Sequence, residues 1–353
     1  MQMKSSEQIV GSSCDCAYKK GVTTNPTTKN RAQLTQGLFP NGVPVLWCPL
    51  LSHYDGEGRI DRARMAKHFE HVARHVHGFL APGSTSDGWE LSAPEEQEVV
   101  EIALAQAGKF SAHLLVGILR PDLEQARKRL SEICDRRACG FVVCPTKGSN
   151  VSQTEMGRQL RAFLAEGVPT ALYQLPQITQ NEMGAELVSE LAKDFPNFVL
   201  LKDSSGADRV AGSAEDFAGL FMVRGAEGDY ARWLKCSGGP YNGFLLSTAN
   251  CFARELKQMI EALSDGMEAG QGMSDRLSRV IGDVFRLVSP LPQGNAFTNA
   301  NKAIDHFFAY GPRAAAVPAP RLHAGIPLPT EMIRETGEIL QRNGFMPGKG
   351  YLE

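Results

Sequence analysis

The sequence predicts a (β/α)8 barrel with a C-terminal helical extension, and three observations carry that expectation. Eight short runs rich in Val, Leu and Phe recur between Gly42 and Asn250. They are continuous rather than alternating, the pattern of strands buried on both faces of a parallel sheet. Longer segments of helical period separate them, and after Asn250 the strand-like runs stop. Eight strands alternating with helices favour a closed barrel over an open doubly wound sheet.

In chain order the runs are Val43 to Cys48, Gly78 to Ala81, His113 to Ile118, Gly140 to Cys144, Pro169 to Gln174, Phe198 to Leu201, Phe221 to Val223 and Gly243 to Leu246. Amphipathic helices are predicted between them, for example over Asp61 to His75 and Pro94 to Ala107. The second carries its own start signal: Ser92 is a suitable N-cap, Pro94 falls in the first turn, and Glu95 and Glu96 suit the positive end of the helix dipole. Residues 250–345 read as helices, including Phe252 to Leu263, Arg276 to Leu287, Thr298 to Phe308 and Glu331 to Asn343. These must bury their apolar faces on the barrel or on another subunit. The polar, aperiodic residues 1–40 read as an extension outside the core. The expected organisation is therefore an extension over 1–40, a barrel over 41–250 and a helical domain over 251–353.

Composition narrows the function classes. A net charge of -2 gives no electrostatic footprint for nucleic acid or an anionic membrane. No apolar run approaches the roughly 20 residues that span a bilayer, and Met1 to Cys16 lacks the apolar stretch of a signal peptide. The eight cysteines are scattered, and several sit in apolar runs, as Cys144 does, so a reduced cytoplasmic protein is expected.

In such barrels chemistry sits where the strands end. The second run ends in Gly83-Ser84-Thr85-Ser86-Asp87-Gly88, the fifth in Tyr173-Gln174-Leu175-Pro176, the sixth in Leu201-Lys202-Asp203-Ser204-Ser205-Gly206 and the eighth in Leu246-Ser247-Thr248-Ala249-Asn250. Lys202 follows four apolar residues, so it points into or near the barrel interior. It is either half of a structural salt bridge, with Asp203 for instance, or an amine nucleophile. A free lysine has a pKa of about 10.4, and desolvation can lower it by the roughly three units that supply a neutral amine. Such an amine attacks a ketone to form a Schiff base. Tyr173 suits a proton relay beside it, or is a core tyrosine. Ser84 and Thr85 offer hydroxyls and backbone N–H groups that suit a carboxylate, or simply close a loop. Lys147, in Cys144-Pro145-Thr146-Lys147, ends the fourth strand; it either reaches the same mouth to recognise the distal part of a substrate or stays in solvent. Gly225 and Leu245 complete the candidate pocket.

Two other classes compete. His68, His71 and His75 lie three and four apart on one helix, a possible metal face, but on an outer-ring helix a solvated face is the better reading. Cys14-Asp15-Cys16 lacks a second pair at metal-binding spacing. A keto-acid-binding protein without catalysis is the third possibility, since fold does not fix function.

Taken together, these segments resemble the dihydrodipicolinate synthase / N-acetylneuraminate lyase family of class I aldolases from about Gly42 to Asn250. Leu201 to Gly206 looks like the family's Schiff-base lysine segment, Gly83-Ser84-Thr85 its Gly-[Ser/Thr]-Thr-Gly-Glu loop, and Tyr173-x-x-Pro176 its Tyr-Asn-x-Pro. The resemblance implies a metal-free, cofactor-free lyase or aldolase acting on pyruvate or a 2-keto-3-deoxy acid, with Lys202 and Tyr173 catalytic, in a homo-oligomer that is a tetramer or dimer. A dehydratase or hydratase-aldolase of the same fold is the neighbouring expectation. The chain also departs from the family: Ser86-Asp87 replaces Gly-Glu, Gln174 replaces Asn, and Ile178 stands where the synthases carry an arginine for the semialdehyde carboxylate. These departures predict an acceptor pocket unlike a synthase's.

Overall fold

The computed structural model describes residues 30–134 and 137–353. Eight parallel strands close in sequence order: β1 Leu46–Pro49, β2 Gly78–Ala81, β3 His113–Gly117, β4 Gly140–Val143, β5 Thr170–Gln174, β6 Phe198–Asp203, β7 Phe221–Arg224 and β8 Gly243–Leu245. Every predicted run contributes a strand.

The side-chain period of two sorts each strand between two layers. Trp47, Leu80, Leu115, Val142, Ala171, Tyr173, Leu200, Val223 and Leu245 form an inner cluster. Their strand neighbours, such as Cys48, Phe79, Val116, Leu172, Leu201 and Phe244, belong to the outer cluster shared with the helices. Inward parity therefore continues from Leu200 to Lys202, from Val223 to Gly225 and from Leu245 to Ser247. Glycine at 78 makes room in the inner layer, because a Cβ there would stand 2.4 Å from the Trp47 ring.

Helix Ala93–Phe110 starts at the predicted N-cap, with the Ser92 N–H donating to Glu95 Oε2 at 2.8 Å. One expected crossover is missing: Ser204 to Leu220 contains no helix. Gly206 and Asp208 take left-handed backbone (φ 71° and 54°), the Asp208 N–H donates to Ser205 Oγ at 3.2 Å, and buried Asp208 is clasped by Arg224 at 3.0 Å. These local bonds hold turns where a helix would need them broken.

The C-terminal helices Glu268–Val288, Ala296–Tyr310 and Thr330–Arg342 bury Leu277, Ile281, Ile304, Phe307 and Leu340 in the same outer cluster as the barrel helices. Their apolar faces are covered within their own chain, by the barrel and by one another.

Two expectations need correction. Residues 31–39 are not outside the core. Helix Arg31–Leu38 is capped by Asn30, and Phe39 enters the inner cluster with its ring centroid 5.9 Å from Trp47 and 5.0 Å from His113. Arg31 is buried and donates to the carbonyls of Phe198 (2.8 Å), Phe195 (3.1 Å), Ala192 and Ala218. His68 is not solvated: it is fully buried, with Nδ1 3.0 Å from Asp305 Oδ1 and Nε2 2.9 Å from Asn250 Oδ1. Cys48, Cys139, Cys144, Cys236 and Cys251 are free thiols. Cys14-Asp15-Cys16 lies outside the described residues. Among the described residues no helix is long and apolar enough to cross a membrane.

Arg31→Ala strands several buried carbonyls and is expected to cost about 2–3 kcal/mol. Guanidinium unfolding measures it, and an unchanged midpoint would show that this helix contributes nothing to stability.

Candidate active site

The strand register puts Tyr173 of β5 beside Lys202 of β6. Both side chains are buried, and the Lys202 ammonium position lies 4.0 Å from the Tyr173 ring centroid. A salt bridge to Asp203 does not form. Asp203 has the opposite parity, and its carboxylate accepts from the Ser205 N–H at 2.8 Å and the Tyr241 hydroxyl at 3.3 Å. Burial lowers the Lys202 pKa to about 7, against weaker opposing influences of Cys144 and Glu227. Desolvation also raises the Tyr173 phenol, so it stays protonated at neutral pH, although the Ser204 and Ser84 hydroxyls partly offset this. Cys144, buried beside them, is pushed up to about 12 by desolvation and remains a thiol.

Lys202 and Tyr173 open onto a cavity of about 220 Å³. Ser84, Thr85, Gly225 and Leu245 line it too, so six of the seven candidate residues share one wall. Lys147 does not. Its ammonium stands 4.0 Å from the Trp89 ring centroid, and Trp89 is the residue that lines the cavity.

Gly225 is required by space: a Cβ there would lie 2.1 Å from Ser204 Oγ and 2.8 Å from Lys202 Cε. The Ser84 loop is held from outside. Ser84 O accepts from Asn295 Nδ2 at 3.1 Å and Thr85 O from Thr298 Oγ1 at 3.2 Å, while Trp89 Nε1 donates to Ser84 Oγ at 3.0 Å. A trans peptide whose Ser84 carbonyl faces helix Ala296–Tyr310 turns the Thr85 N–H away from that helix. Asp87, in the family's glutamate position, accepts from buried Lys302 Nζ at 3.2 Å and from the Tyr54 hydroxyl at 2.9 Å. Gln174, in place of asparagine, accepts the Met183 N–H at 2.7 Å and fixes the loop after β5.

Several lining residues escape a search of motifs and strand ends. Ser204 and Ser247 stand in the quoted strand-end segments, but only inward parity singles them out there. Asn295, Ala296 and Phe297 come from the start of helix Ala296–Tyr310, Glu90 from a turn and Gln177 from the short helix Pro176–Thr179. Glu227, just past β7, accepts from the Ser247 hydroxyl at 2.6 Å, the Thr248 N–H at 3.0 Å and the Tyr230 hydroxyl at 2.8 Å.

The competing metal reading fares differently from its sequence form. Of the helix histidines only His68 joins a compact group, with His53 and Asp305. Arg64 Nη2 already lies 2.6 Å from Asp305 Oδ2, and both His68 nitrogens are engaged, so the arrangement is a hydrogen-bonded charge network.

With this geometry in hand the relatives can be compared. The Dihydrodipicolinate synthetase family profile matches residues 45–294. The chain belongs to that family. A 4-hydroxy-tetrahydrodipicolinate synthase of Methanospirillum hungatei JF-1 is 25% identical over 263 residues, covering 72% of this chain and 87% of the relative. One of Pseudomonas putida is 25% identical over 249 residues, covering 69% and 83%. Among solved structures, YagE of E. coli K12, a family member in complex with pyruvate, superposes with a TM-score of 0.69 at 20% identity, over 86% of this chain and 99% of that one. That likeness concerns the fold.

Gly225→Ala is expected to displace the Lys202 side chain and slow any reaction of its amine about 10²-fold. The readout is the rate at which borohydride traps a pyruvate adduct; an unchanged rate would mean that the side chain repacks freely.

Proposed function

We propose that the chain is an imine-forming lyase or aldolase acting on pyruvate or a 2-keto acid, with Lys202 as nucleophile and Tyr173 as proton relay. One observation carries the reading: a buried lysine with no carboxylate partner among the described residues, beside a buried tyrosine, lining a cavity in the barrel mouth. A lysine kept for structure is expected to be paired, because burying an unpaired charge costs several kcal/mol. Family membership and the pyruvate complex of YagE support the same chemistry.

In this reading the neutral Lys202 amine adds to the C2 carbonyl of the keto acid. Tyr173, protonated at neutral pH, donates to the carbinolamine oxygen, which leaves as water. The protonated imine then accepts the electron pair of the C3–C4 bond in cleavage, or of a C3–H bond in condensation. Ser84 and Thr85 hold the C1 carboxylate through hydroxyl and backbone N–H donors, which turns C2 toward Lys202. Dehydration of a 3-deoxy acid would begin from the same imine. Lys147 acts in this scheme only through Trp89.

Pyruvate with borohydride is expected to add irreversible mass at Lys202, and Lys202→Ala to abolish both labelling and turnover. Labelling that persists in the variant, or that maps to another residue, contradicts the assignment. Tyr173→Phe should still bind a keto acid but turn over about 10²- to 10⁴-fold more slowly; near-normal kcat would make Tyr173 a packing residue.

A further inference from the structure

The cavity that Lys202 lines joins polar and apolar groups. Its floor is polar, with Lys202, Tyr173, Ser84 and Thr85. The same lining carries Trp89, Leu175, Ile178, Leu245, Ala296 and Phe297, while the donors of its polar members Gln177, Ser247 and Asn295 are already bonded to Ser204 O, Glu227 Oε1 and Ser84 O. Among the described residues no cation other than Lys202 lines the space, and its one acidic lining residue is Glu90. The Lys147 ammonium does not line the space and is engaged with the Trp89 ring.

These facts decide what an acceptor can carry. A distal carboxylate would be stripped of water, meet Glu90 and find no positive partner, which costs far more than apolar contacts return. A polyhydroxylated chain would leave several hydroxyls facing Trp89, Ile178 and Phe297 without partners. An apolar group fits instead: a dry apolar cavity of roughly 150 Å³ is enough for a benzene-sized ring, and the whole space here is about 220 Å³. Trp89 and Phe297 supply the flat faces that a ring packs against.

We propose that the second substrate is an uncharged aldehyde with an apolar, ring-sized substituent. The proposal rests on the imine reading above. Lys202 and pyruvate lose one water to form the imine, and C3 gives up a proton to make the enamine. C3 then forms a bond to the aldehyde carbon, whose oxygen takes up a proton. Water hydrolyses the imine, freeing Lys202 and a 4-hydroxy-2-keto acid that bears the apolar group. No oxidation or reduction occurs, and cleavage is the same sequence reversed.

The test pairs two measurements on the full chain. Borohydride trapping with pyruvate alone reports the imine. Initial rates with pyruvate plus benzaldehyde, succinic semialdehyde or glyceraldehyde report the acceptor. Trapping at Lys202 together with kcat/KM for benzaldehyde at least tenfold above both polar aldehydes supports the proposal. Trapping with benzaldehyde inert, or no better than either polar aldehyde, overturns it and leaves the imine reading standing. An absence of trapping overturns both. Ile178→Arg places a cation in the apolar wall and should lower the benzaldehyde-to-succinic-semialdehyde ratio of kcat/KM at least tenfold. A general loss of folded protein would lower both rates and leave that ratio alone, so an unchanged ratio contradicts the assigned wall.

Discussion

Lys202 carries its amine into the barrel interior with no salt-bridge partner among the described residues, and much of the mouth is arranged around that one unfavourable burial. Desolvation brings its pKa to about 7, so a substantial fraction is neutral under ordinary conditions. Gly225 leaves the space its methylene chain needs, and Tyr173 gives the ammonium form a ring face. Asp203, the adjacent acid, is turned out of the barrel by strand parity and kept there by Tyr241 and Ser205. A single-residue slip of β6 would exchange the two and pair neither correctly.

The second buried lysine makes the contrast. Lys302 is as deeply buried, but it meets Asp87 at 3.2 Å and donates to Arg321 O at 3.1 Å. It joins the loop after β2 to the C-terminal helix Ala296–Tyr310, and the same helix holds the carbonyls of Ser84 and Thr85. That helix also sends Ala296 and Phe297 into the cavity wall. The C-terminal helices thus fix the Ser84-Thr85 loop and shape part of the cavity. Asp87 therefore reads as an anchor for this arrangement, which explains a carboxylate one atom shorter than the family's glutamate in that loop.

What the sequence made legible follows from period and position. The strands were readable because both faces are buried, and Lys202, Tyr173, Ser84 and Thr85 were readable because strand ends share one mouth. The contacts that depend on distant partners were not. Asp87 and Lys302 are 215 residues apart, and nothing local in either marks the pair. Phe297 lay in a segment that reads only as an amphipathic helix. Arg31 and Phe39 follow a polar stretch, which hid the fact that both are buried. His68 looked like one of a row on an outer helix, and only the packing of Asp305 and Asn250 against it shows that it is interior. Lys147 was placed correctly near the mouth, but the indole that intercepts it could not be seen from its own neighbours.

Imine formation needs the Lys202 amine neutral, and burial away from any salt-bridge partner among the described residues is what neutralises it. The pH dependence of pyruvate trapping at saturating borohydride tests this directly, since only the unprotonated amine adds to the ketone. The account predicts that the trapping rate constant rises with pH and levels off with a midpoint near 7, matching the lowered pKa. A rate that keeps climbing toward about pH 10, as for an ordinary exposed lysine, would contradict it.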